Sequence, residues 1–93
     1  MTSLEMSLSH IQDFVSQTEE ILKNGKVDLG FTGAPFVVDS KGLYEMAMIE
    51  MDFISENAPL VLREINLTEE KESIQNIVTE ANNLIEEYKR KVL

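Results

Sequence analysis

A chain of 93 residues with 43% hydrophobic and 27% charged side chains fits one globular domain, by the prior of about 100 to 200 residues per domain, and is short enough that a single modest core is its ceiling. Its 17 acidic against 8 basic side chains give a formal net charge of -9, which repels polyanions over most of the surface and disfavours direct nucleic-acid binding. The lack of cysteine removes disulfides, thiolate metal ligands and a thiol nucleophile together.

The first predicted element is a helix over about residues 3–23. Leu4, Leu8, Ile11, Val15, Thr18 and Leu22 recur at alternating spacings of four and three, the seam of a helix packed lengthwise against another. Phe14 and Ile21 widen that seam, Ser3 stands at the N-cap position, and Gly25 can close the last turn in the left-handed conformation. From Lys26 the pattern changes. Val27, Leu29 and Phe31 alternate with polar or small residues, Thr32-Gly33-Ala34-Pro35 supplies a turn, and Phe36-Val37-Val38 follows. Residues 26–38 therefore read as a short β-hairpin or an ordered loop. A two-stranded hairpin is marginal alone in water, so it must lean on the helices.

The central helix, about 41–57, begins under an Asp39 or Ser40 cap. At about 100° per residue, Glu45, Asp52 and Glu56 share one narrow wet stripe, and the rest is apolar over roughly 220°. Leu43, Met46, Phe53 and Ile54 lie toward one flank, with Tyr44, Met48 and Met51 toward the other. A surface helix needs a stripe only about 100° wide. This one wants neighbours on two sides, supplied by the flanking helices or by a second copy, and a homodimer is the expectation. Pro59 disfavours helix at Ala58 and lacks a donor, so the central helix is expected to end or kink there, with a short helix or turn over 59–66. The last helix, about 68–91, carries one stripe in Ile74, Ile77, Val78, Ala81, Leu84, Ile85, Tyr88 and Val92. Thr68, or Asn66 with Glu69, is its expected cap, and Lys89-Arg90-Lys91 suits the negative end of its dipole.

These elements compose a mainly α fold, a small three-helix bundle in one domain over 1–93. Few residues point to chemistry. The sequence holds no phosphate loop, HExxH, EF-hand loop or Gly-x-Ser-x-Gly, and no catalytic, metal or cofactor residue is assigned. The pairs Glu19-Glu20, Glu69-Glu70 and Glu86-Glu87 read as solubility charge, since adjacent side chains on a helix diverge. His10, with Asp13 three residues on, reads as a partly exposed histidine. Asn66-Leu67-Thr68 matches the glycosylation acceptor pattern, which here reads as chance. Glu50 stands apart because it points into the apolar arc, where an unpaired carboxylate is costly. Arg63 folded back across the Pro59 corner is one expected partner; an exposed setting and a contact with another protein are the others.

No apolar run approaches the roughly 18 to 20 residues that span a bilayer, and MTSLEMSLSH lacks the basic leader and apolar core of a signal peptide. The expectation is a cytoplasmic protein without membrane contact. Its expected function is a non-enzymatic protein–protein interaction module, an adaptor, assembly factor or regulator presenting a helical apolar face. The expected partner-binding residues are Phe31, Phe36, Tyr44, Met48, Glu50 and Met51, thioethers suiting adaptable surfaces. Two alternatives stay open: an acidic inhibitor that mimics nucleic acid on a basic site, and a ligand-binding or enzymatic pocket between the hairpin aromatics and the central helix around Glu50.

Overall fold

The computed structural model describes residues 2–30 and 33–93. In chain order the elements are α1 (Ser3–Val15), α2 (Thr18–Asn24), β1 (Lys26–Asp28), β2 (Val37–Asp39), α3 (Ser40–Glu64) and α4 (Thr68–Val92). The mainly α bundle and the short hairpin inside it match the sequence pattern.

The first helix is bent where a continuous one was expected. The hydroxyl of Ser16 donates to the Asp13 carbonyl at 2.6 Å and that of Thr18 to the Val15 carbonyl at 2.5 Å, a local bonding mode that competes with the helical ladder and bends it. The bend resets the inward face. Leu4, Leu8 and Ile11 are buried on α1, but on α2 the buried residue is Ile21, while Leu22, next in the uninterrupted seam, is 59% exposed. At the start, Thr2 and not Ser3 is the cap, its side chain accepting from the Glu5 N–H. At the end, Gly25 takes a left-handed φ of 75° and its N–H reaches the Ile21 carbonyl.

Lys26, Val27 and Asp28 pair antiparallel with Asp39, Val38 and Val37. One Asp28 carboxylate oxygen accepts from both the Gly30 and the Phe36 N–H, at 2.8 and 2.9 Å. These bonds, Phe36's the larger effect, hold the Asp28 carboxyl below its usual 3.8. Gly30 is required there, because a Cβ would sit 2.0 Å from the Ala34 carbonyl oxygen. The hairpin leans on the helices through Val27, which is buried beside Ile21, Leu43 and Tyr88.

Asp39 caps α3, accepting from the Gly42 N–H at 2.7 Å. The helix then runs 25 residues, with Pro59 inside it. The expected stop is thus overturned, and the separate short element at 59–66 is its continuation. Val61, Leu62 and Ile65 pack against the core beyond the proline. Their partial burial, each side chain worth up to about 1.5 to 3 kcal/mol when complete, offsets the roughly 3 kcal/mol that an interior proline costs. On α4 the stripe is as expected, with Ile74, Ile77, Ala81, Ile85 and Tyr88 buried. Its cap is not: Leu67 occupies that position with no side-chain bond.

α1 and α4 each take one flank of α3, whose buried line is Leu43, Ala47, Met51, Ile54 and Ala58. A smaller corner joins Ile21, Val27, Leu43 and Tyr88. There the Tyr88 hydroxyl donates to the Ser40 carbonyl at 2.8 Å and its ring stacks on Tyr44 at 6.5 Å. Burial, then the charge of Asp39, pushes that phenol above its usual 10.0.

Candidate functional site

α1 runs antiparallel to α3, and the outer seam between them stays open. His10 sits opposite Glu50, while Ser3 lies beside Phe53 and Asn57. A hollow of about 320 Å³ is lined by Ser3, Met6, Ser7 and His10 from α1 and by Ile49, Glu50 and Phe53 from α3. Ser7 is 5% exposed at an inward position three residues after Leu4, and its small side chain is what leaves the space. A second hollow of about 290 Å³ shares Ser3 and Phe53 with the first and continues to Asn57 and Val61. Together they form a trough along α3 from Ile49 to Val61, about 18 Å at about 1.5 Å per residue.

The walls of this trough are apolar and uncovered. Ile49 is 68% exposed, Met6 47% and Phe53 38%, and Leu60, 54% exposed, stands further along α3 outside the lining of both hollows. On α3, Ile49, Phe53 and Leu60 fall within about 40° of one another at helical pitch, with the exposed Glu56 standing between Phe53 and Leu60. Large exposed apolar side chains standing singly are ordinary; a contiguous set beside a hollow is what marks interaction surfaces.

At one end stands the polar pair. His10 Nδ1 lies 3.1 Å from Glu50 Oε1, with side chains 49% and 24% exposed. The carboxylate accepts, so Nδ1 carries the proton of this bond. The expected Glu50–Arg63 pair is not formed. Because α3 continues through Pro59, Arg63 lies about 20 Å further along the helix, at about 1.5 Å per residue. Ser7 shares the hollow with His10 and Glu50, yet among the described residues no hydrogen bond joins Ser7 to His10. No group of three or more His, Asp or Glu that could hold a metal occurs among the described residues.

The charges that α1 and the middle of α3 present beside the trough are acidic, while Lys71 stands one turn before Ile74 of α4, at the far end of the second hollow. Glu45, Asp52 and Glu56 are exposed on α3, as their shared stripe required, and Asp13 is exposed on α1 one turn beyond His10. Neither α1 nor the stretch of α3 between Lys41 and Arg63 contains a lysine or arginine. The cationic cluster at the end of α4 is engaged locally: Lys91 pairs with Glu87 at 2.7 Å and Lys89 with Glu86 at 3.5 Å. The Lys91 bond and charge hold the Glu87 carboxyl below its usual 4.5.

No protein-family model, curated protein or solved structure matches the chain.

Of the described residues expected to meet a partner, Glu50 alone reaches the trough. Met51 is 5% exposed in the core, Met48 is partly buried against it, and Tyr44 is partly buried against Tyr88. Phe36 is 54% exposed, but on the hairpin, and Phe31 lies outside the described residues. The hollow at Glu50 is walled by α1, and Phe36 is not part of its lining. Ile49 went unremarked in the sequence although its place was readable: it stands amid Glu45, Asp52 and Glu56, an apolar residue in the middle of the wet stripe.

Proposed function

We propose that this chain is a non-enzymatic, cytoplasmic protein–protein interaction module that receives a segment of its partner in the trough between α1 and α3. The observation that carries this reading is the apolar set Ile49, Phe53 and Met6, exposed around a hollow that the chain's own core does not fill. Grooves between helices are a recurrent seat for an amphipathic helix. Among the described residues no helix is long and apolar enough to cross a membrane, so the set is not part of a spanning segment.

A homodimer through the same face is the competing form of this reading. The breadth of the apolar arc demands it less, because α1 and α4 of one chain already bury Leu43, Met51 and Ile54 of that arc. The acidic-mimic reading shares the net charge of -9, but an apolar set in the acid stripe is foreign to a phosphate-like surface. Co-purification from the source cells tests the module. Ile49→Asp is expected to lose proteins that the wild-type chain and a Leu22→Asp control both retain. Equal retention by all three, or none by any, contradicts it.

A further inference from the structure

We infer that the occupant of the α1–α3 trough is a basic amphipathic helix of another protein, with lysine or arginine flanking an apolar line of about three turns. The inference rests on the proposed module and names the chemistry of its partner. Three observations fix that chemistry. The trough is about 18 Å long between Ile49 and Val61, which at about 1.5 Å per residue accommodates some twelve residues of helix. Its apolar wall, Ile49 and Phe53 one turn apart on α3 with Met6 opposite on α1, is the kind of surface that reads anchors spaced i, i+3, i+4 and i+7. The charged residues beside it on α1 and the middle of α3, Asp13, Glu45, Glu50, Asp52 and Glu56, are acidic, and no lysine or arginine interrupts them on α1 or between Lys41 and Arg63.

The same charge argues against other occupants. A second copy seated face to face would oppose these carboxylates to their own duplicates, and like charges brought together across an interface are repelled. An anionic membrane or a nucleic acid meets the same repulsion. A cationic helix gains on both counts: its apolar line covers Ile49 and Phe53, and its rim charges meet the acids beside them. Glu50 is the one carboxylate at the edge of the hollow itself. It engages His10 through Oε1, and Oε2 has no hydrogen-bond partner among the described residues. An incoming guanidinium or ammonium can therefore join the pair without first breaking it.

Magnetic-resonance titration of the full 15N-labelled chain tests this with two synthetic peptides of about 20 residues. Both carry leucine at i, i+3, i+4 and i+7; one has lysine and arginine elsewhere, the other glutamate. The cationic peptide is expected to bind, shifting the amides of Met6, His10, Ile49, Glu50 and Phe53 and sparing the hairpin. Its affinity is expected to fall about tenfold or more between about 50 and 300 mM salt. Glu50→Gln should weaken it several-fold with an unchanged melting temperature. The glutamate peptide is expected not to bind. Equal binding of both peptides overturns the charge assignment while leaving the trough as an interaction site. Failure of both, with a dimer in sedimentation that Ile49→Asp dissociates, overturns it in favour of a second copy. Failure of both with a monomer also overturns it, and the co-purification experiment then reports separately on the module.

Discussion

The two ends of α3 are built by opposite rules. At its N-terminal end, the corner of Ile21, Val27, Leu43 and Tyr88 is closed: Leu43 is 1% exposed, and the polar groups that enter are tied. Tyr88 bonds the Ser40 carbonyl, Asp39 caps the helix, and Asp28 holds the hairpin turn. Further along, beside α1, large apolar side chains are left uncovered over a hollow, with a half-exposed His10–Glu50 pair at its edge. A chain this short has little apolar surface to spare for its core. That it leaves Ile49, Phe53, Leu60 and Met6 outside, on one face, is the reason to read that face as serving something other than the fold.

The contrast can be pressed hardest at the closed corner. Leu43→Ala is expected to cost about 2 to 5 kcal/mol, the range for deleting a fully buried leucine side chain, read as a lowered midpoint in urea. A loss under about 1 kcal/mol would mean that the corner is as loose as the trough. A smaller effect is expected from Tyr88→Phe, which removes the bond to the Ser40 carbonyl but keeps the ring against Tyr44; about 1 kcal/mol is the net worth of such a bond. No change in the thermal melt would show that bond to be dispensable.

The smallest effect is acid loosening of the hairpin. The Asp28 carboxyl is depressed below 3.8 by the Phe36 and Gly30 N–H groups. Its contribution is therefore fully present above the unfolded value and is lost as pH falls through the lower folded one. The Phe36 amide resonance should follow this titration with a midpoint below 3.8. A midpoint at or above that value would mean that the carboxylate does not hold the turn.

Much of this was legible in the sequence, and the exceptions have physical causes. The stripe of α4 and the helical nature of α1 and α3 follow from periodicity, which survives folding because burial enforces it. The Gly25 stop and the Asp39 cap were readable from local chemistry alone. The bend at Ser16 was not, since a hydroxyl turning back on its own helix depends on a competition that spacing does not record. Pro59 misled because a local rule lost to packing of Val61, Leu62 and Ile65 from the far side. That single error also displaced Arg63 and hid the partner of Glu50, which comes from α1, 40 residues away in sequence. The apolar arc of α3 was seen as a whole, but which part faces the core was decided by how α1 and α4 approach it. Met51 went inside and Phe53 stayed partly out, two residues apart.

The account is tested most directly by making one substitution twice on one helix. Ile54 is 0% and Ile49 68% exposed, and both stand in the middle of α3. Urea denaturation of Ile54→Ala should show a loss of about 2 to 5 kcal/mol. For Ile49→Ala the expected change is within about 0.5 kcal/mol, alanine's helix propensity compensating the little burial lost. Equal losses at the two positions would place Ile49 in a core and contradict the reading of the α1–α3 face as an open surface.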